Sequence, residues 1–136
     1  MHTTKSISLE DTQRIIKAGI AKAVAITSPS NIAVADAGGN LLAFARMDDA
    51  WLGSIDIAIS KAFTSRAFNI ATKDLAPLAQ PGQQFYGIHA SNHGRVMIFA
   101  GGVPLKSGDV VIGSVGVSGG TGAQDQAIAE AAAAAL

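Results

Sequence analysis

Apolar positions recur at Ile16, Ile20, Ala23 and Val24, the three-and-four spacing of one helix face. Ser8-x-x-Asp11 precedes them in the form of a capping box, so a first helix is predicted, ending near Ser28-Pro29. The pattern then shortens. Asn31–Asp36 (NIAVAD) and Asn40–Arg46 (NLLAFAR), joined by Ala37-Gly38-Gly39, predict a hairpin whose glycines supply positive φ. Strict alternation places Leu42 and Phe44 on one face and Leu41 and Ala43 on the other, with both faces covered. Ser54 is expected to cap a second helix, with Asp56 in its first turn. Its stripe is Ile55, Ile59, Ala62 and Phe63, with Lys61 and Arg66 off it. A short helix over Lys73–Ala79, capped by Thr72, stops at Pro81-Gly82. Gln83–Gly94 is polar and irregular. Three strands are predicted next, at Arg95–Ala100, near Val103–Lys106, and at Val110–Val117, with a turn at Ser107-Gly108-Asp109. A last helix starts after Gly120, where Thr121 and Gln124 have capping-box spacing. The order α-β-β-α-(α)-β-β-β-α, with short connections, predicts an α+β fold with a mostly antiparallel sheet.

Composition adds an assembly. Hydrophobic residues make up 49% of the 136-residue chain and charged ones only 15%, well short of the usual quarter, so surface hidden in a homo-oligomer is expected. Net charge is zero and aromatics are few, which argues against nucleic acid as a partner. No apolar run reaches the roughly 20 residues of a membrane span, so no membrane partner is expected. The N-terminus carries no apolar leader, so a cytoplasmic location is expected. The chain has no cysteine, hence no disulfide or thiolate chemistry. One domain over residues 1–136 is expected, with residues 1–7 flexible.

Candidate chemistry is sparse. Six of the fifteen glycines fall in Gly108–Gly122, yet neither a dinucleotide fingerprint nor a P-loop is present. Gly119 and Gly120 are open to two readings, an anion-binding nest ahead of the last helix or close packing of strand on helix. Gly101 and Gly102 either bend an edge strand or wall a pocket. His89 and His93 stand four apart, but Gly87 and Gly94 bracket them and no third ligand is near, so no metal is expected. Either imidazole is a candidate ligand contact, or both are solvated; His2 is read as inert. Arg46, Lys61 and Arg95 lie near apolar segments and are candidate anchors for a carboxylate. Lys61 has the alternative of pairing with Asp56 or Asp36. Asp48-Asp49 reads as a solvated loop pair, and Ser54, Ser118 and Thr121 as caps without a base partner.

Several spaced motifs resemble one family. DAGGNLLAFARMDDAWLGSIDIAISKA (36–62), PGQQFYGIHASN (81–92), AGGVPL (100–105) and GSVGVSGGTGAQDQAIA (113–129) resemble the GlcG/HbpS-like, or haem-degrading domain, family, which also forms the C-terminal domain of PduO proteins. The resemblance covers residues 8–136. It implies a profilin-like sandwich with a central five-stranded antiparallel sheet, assembly as dimers to octamers, and haem binding in some members. Other members are encoded with glycolate or propanediol catabolism. This chain lacks the leader and the E-x-x-E iron motif of the secreted haem-binding type, since Glu10 and Glu130 are its only glutamates. The cytoplasmic GlcG-like branch is the better comparison.

The resemblance and the residues together give three functional expectations. The first is an oligomer binding haem or another carboxylate-bearing small molecule, with ligand contacts drawn from Arg46, Lys61, Tyr86, His89, His93, Arg95, Gly101, Gly102, Gly119 and Gly120. The second is a cofactor-free enzyme acting on a small organic acid, with Lys61 or His89 as acid/base and glycine amides stabilising an oxyanion. The third is an accessory subunit without pocket chemistry.

Overall fold

A computed structural model describes residues 1–136. Its elements are α1 (Leu9–Ala25), β1 (Asn31–Ala35), β2 (Leu41–Arg46), α2 (Gly53–Phe68), α3 (Thr72–Leu75), β3 (Gly102–Ser107), β4 (Val110–Ser118) and α4 (Gly122–Ala133). Single 3-10 turns follow α3 and occupy Ile88–Ala90 and Asn92–Gly94. The strands form one antiparallel sheet in the order β2-β1-β4-β3. α1 and α4 pack together on one face, over Ile32, Val34, Val115 and Val117; α2 covers the other, over Ala33 and Ala35.

The sheet has four strands, not five. Arg95–Ala100 is not a strand, because α2 rather than a neighbouring strand satisfies its backbone. Thr64 Oγ1 accepts from Met97 N at 2.8 Å; its own proton goes to Ser60 O at 2.7 Å, with Arg95 O a longer second acceptor at 3.3 Å. This segment therefore runs along the helix, and the sheet edge begins at Gly102.

Both expected N-caps form, but only the one at Thr121 is a reciprocal capping box; at Ser8 the hydroxyl, not the backbone N–H, donates to the Asp11 carboxylate. Ser8 Oγ accepts from Asp11 N, and Thr121 Oγ1 accepts from Gln124 N while Gln124 Oε1 accepts from Thr121 N. Ser6 and Ile7, expected to be flexible, are anchored: Ile7 N donates to Ile112 O, Ala37 N donates to Ser6 Oγ, and the Ile7 side chain is buried. Two other expected caps do other work. α2 starts at Gly53, so Ser54 lies inside it and turns inward. Thr72 is the first residue of α3, and its Oγ1 accepts from Gly102 N at 2.8 Å.

A register shift at Val34/Ala35 breaks the alternation expected of β2. Phe44 pairs with Ala33 and packs on the α2 side, whereas Leu42 packs with the cluster under α1. Leu42 and Phe44 thus lie on opposite faces.

α2 also departs from its expected stripe. Its buried residues are Ser54, Ala58, Ser60, Lys61, Ala62, Thr64 and Ser65, while Ile55, Ile59 and Phe63 are only half-buried. Close approach is the reason. A Cβ on Gly116 would stand 2.1 Å from Ala58 O and 2.5 Å from Ala62 N, so helix and strand backbones touch and only small residues fit between. Ser114 Oγ donates to Ala62 O across the same contact.

Candidate functional site

Lys61 extends from the inner face of α2 past the end of β4 to the first turn of α4. Its Nζ donates to Val117 O at 2.8 Å and to Asp125 Oδ2 at 3.0 Å. Asp125 Oδ1 accepts from Gly120 N at 3.0 Å. Both side chains are almost wholly buried, 2% and 4% exposed, so their interaction is little weakened by solvent. Burial holds the Lys61 ammonium below its usual range and the Asp125 carboxyl above its own; in each case the partner's charge and hydrogen bonds offset part of the effect.

Glycine makes room for this pair. Gly101 has φ +122°, and a Cβ there would lie 2.5 Å from Val117 O, 2.9 Å from Lys61 Nζ and 2.9 Å from the Asp125 Cβ. Its carbonyl accepts from Val117 N, continuing the β3–β4 pairing, and its N–H donates to Gln126 Oε1.

Above the pair opens a cleft of about 490 Å³. Trp51, Ile57, Ile98 and Phe99 form its apolar walls, and Lys61, Asp125, Ser54 and Ser118 its polar floor. Ser118 Oγ donates to Ser54 Oγ at 3.0 Å. Trp51 and Phe99 are more than half exposed at the rim. The loop carrying Trp51 is pinned by buried Asn31, whose Nδ2 donates to Trp51 O at 3.0 Å. The chemistry is that of an apolar slot over a closed ionic floor. Two of the three Lys61 N–H groups are used, and its charge is balanced by Asp125.

Of the residues singled out in the sequence, Lys61 and Gly120 line this cleft. Gly101 shapes its back, and Gly102 docks on Thr72. Gly119 packs against Pro29 O and Ser30. Arg46 lines a separate depression with Asp48 and Asp49. The Arg95 guanidinium stacks on the Phe63 ring, 3.9 Å from its centroid. Tyr86 and His89 meet edge-to-face, 5.8 Å between centroids, and His93 is exposed in a left-handed conformation; these three do not line the cleft. The partner of Lys61 is neither Asp36, which caps the hairpin turn through Gly38 N and Asn40 N, nor Asp56, which is exposed. Sequence reasoning missed Asp125 as that partner, and with it the roles of Ser54, Ser118, Trp51 and Phe99. One signal was available. A lysine inside a run of small residues that becomes a packing face needs a counter-charge, and Asp125 lies in a first helical turn beside glycines that let it approach.

A family model described as "Haem degrading protein HbpS-like" matches residues 7–134. The chain belongs to the HbpS-like family. It is 42% identical over 127 residues to a 15.0 kDa Citrobacter freundii protein from the dhaT-dhaS intergenic region, covering 93% of this chain and 89% of that one. The crystal structure of Klebsiella pneumoniae protein ORFY, at 38% identity, superposes with a TM-score of 0.97 over 99% of this chain and 93% of that one. The crystal structure of the PduOC:haem complex, at 35% identity, gives 0.92 over 96% and 95%. Against the corrinoid adenosyltransferase PduO of Salmonella typhimurium, 35% identical, the chain covers 40% of the relative's length. No helix in this HbpS-like chain is long and apolar enough to cross a membrane.

Proposed function

We propose that this protein binds haem, or another small molecule combining a flat apolar body with carboxylate groups, in the cleft between Trp51 and Phe99. The carrying observation is the cleft's chemistry: apolar walls, open at the rim, over a floor whose charges cancel. The haem complex of PduOC, a close structural relative, supports the ligand class. Trp51, Ile57, Ile98 and Phe99 would hold the ring. Carboxylates would stay at the open rim, because a carboxylate brought to Lys61 would meet Asp125. Haem, when bound, would supply an iron centre open to a nitrogen or oxygen donor; His89, His93 and Tyr86, which lie outside the cleft lining of their own chain, are the candidates to hold it. Titration of the purified protein with hemin should give a saturable Soret change. Phe99→Asp should weaken it at least tenfold, and His89→Ala or His93→Ala should move the band if that imidazole is the donor. An unperturbed Soret band overturns this reading.

A second reading has its own observation. The remaining N–H of Lys61, beside the Ser54 and Ser118 hydroxyls, would hydrogen-bond to and polarise the carbonyl oxygen of a small organic acid, with Asp125 holding the ammonium in place. Lys61→Met should then abolish turnover of the acid in question without displacing hemin. Turnover unchanged by that substitution removes this reading.

A further inference from the structure

A second depression shares Trp51 and Gly120 with the cleft but differs from it in chemistry. It holds about 330 Å³ and opens between the end of α1, the loop carrying Asp49 and Trp51, and the start of α4. Trp51, 64% exposed, is its one large apolar wall. The other side chains around it are hydroxyls, an amide and a single carboxylate, that of Asp49. No cation lines it; Arg46 stands in the neighbouring depression that Asp49 also touches.

These polar groups are held in place and underused. Ser28 is only 4% exposed, yet its hydroxyl has no hydrogen-bond partner within the chain. Only its backbone is engaged, the N–H donating to Ala23 O and the carbonyl accepting from Ser30 Oγ. Gly120 keeps the hydroxyl uncovered, since a Cβ there would stand 2.6 Å from Ser28 Oγ and collide with Gln124 Oε1. Gln124 Oε1 accepts from Thr121 N at 2.9 Å, which orients the amide and leaves its Nε2 free to donate. Thr121 Oγ1 accepts from Gln124 N at 3.2 Å and keeps its own proton for a ligand. Thr27 enters in a left-handed conformation, φ +55°, which a β-branched residue rarely adopts. The set is two donors, one carboxylate acceptor and two hydroxyls that do either. An anion would meet Asp49 with no cation to hold it. An organic cation would use Asp49 and Trp51 and leave the hydroxyls and the amide idle. A neutral ring bearing several hydroxyls uses every group.

We propose that this depression binds a neutral polyhydroxylated ring, a pyranose sugar or a cyclitol, with its C–H face on Trp51. Its hydroxyls donate to Asp49, accept from Gln124 Nε2 and the Thr121 hydroxyl, and give the buried Ser28 hydroxyl the partner it lacks. This site takes nothing from the haem reading and stands or falls without it.

Trp51 is the only tryptophan of the chain, so its fluorescence reports this site directly. Hemin-free protein is titrated with glucose, galactose, mannose and myo-inositol, with glucuronate and choline as charged controls. At least one neutral probe should give a saturable change in emission, and both charged controls should bind more weakly than that probe. Asp49→Asn should weaken its binding at least about tenfold and Ser28→Ala about threefold. Thr27→Gly separates binding from folding: it relieves a left-handed threonine, so the melting temperature should not fall while the affinity does. Asp49→Asn should also leave the hemin titration as in the wild type, because Asp49 does not line the cleft. The inference is overturned by the absence of a saturable change with every neutral probe. It is equally overturned by a change that all three variants keep at wild-type affinity, or by glucuronate or choline binding more tightly than every neutral probe.

Discussion

Lys61 Nζ lies 3.0 Å from Asp125 Oδ2, joining the helices on opposite faces of the sheet through the gap at the end of β4. The two residues are 64 positions apart in sequence and nearly inaccessible to water. Removing one partner leaves a buried, uncompensated charge. Lys61→Met or Asp125→Leu alone should therefore cost about 3–5 kcal/mol in urea unfolding. The double variant should recover most of that loss, and the coupling in the cycle is the quantity to measure. Additive single losses would show that the pair is not energetically linked.

The same pair sets a pH dependence. Asp125 has a raised pKa in the folded protein, so the folded state holds its proton where the unfolded state, near 3.8, has released it. Its contribution to stability is therefore greatest in acid and declines as pH rises from about 3.8 through the folded value. Lys61 has a lowered pKa, so its contribution is least below the folded value and improves as pH climbs toward 10.5. Unfolding free energies of the wild type, referenced to the Lys61→Met/Asp125→Leu double variant, should sag between these two windows. A flat difference across pH would contradict the assigned directions.

Gly101 should tolerate no side chain. Gly101→Ala must hold φ +122° and push a methyl against Val117 O and the Lys61 ammonium. A loss of roughly 2 kcal/mol or more in chemical unfolding is expected, with the Lys61–Asp125 coupling reduced in the same background.

Gly116 and Gly53 form a matched pair of tests. A methyl on Gly116 would collide with the α2 backbone at Ala58 and Ala62, whereas nothing lies within 4 Å of one on Gly53 at the start of α2. Gly116→Ala should lower the melting temperature markedly. Gly53→Ala should leave it unchanged or raise it by removing unfolded-state freedom, an effect of about 0.4–1 kcal/mol. Equal responses would show that the helix is free to move off the strand.

Thr121→Ala should remove one half of the α4 capping box and cost about 1 kcal/mol, read by urea unfolding. Because α4 presents Asp125 in its first turn, the Lys61–Asp125 coupling should weaken with it. A stability loss with unchanged coupling would separate the cap from the site.

Local signals in this chain were reliable where a residue's partners lie within a few positions. The helix starts at Ser8 and Thr121 depend on hydrogen bonds spanning three residues. The Asp36–Asn40 turn likewise closes on itself. The α+β order and the spaced glycine motifs that mark the HbpS-like family were legible for the same reason. Everything decided by contact between distant segments was not. Thr64 turned Arg95–Ala100 away from the sheet, and the register shift at Val34/Ala35 moved Leu42 and Phe44 to opposite faces. The contact of Gly116 with Ala58 made a buried face of serines and alanines in α2 and left Ile55 and Phe63 half outside. The site followed suit. Lys61 was visible as a cation among apolar segments, but Asp125, Gly101 and the Ser54–Ser118 floor become its neighbours only when α2, β4 and α4 meet at one end of the sheet, because burial and charge pairing are properties of that meeting and not of any one stretch of chain.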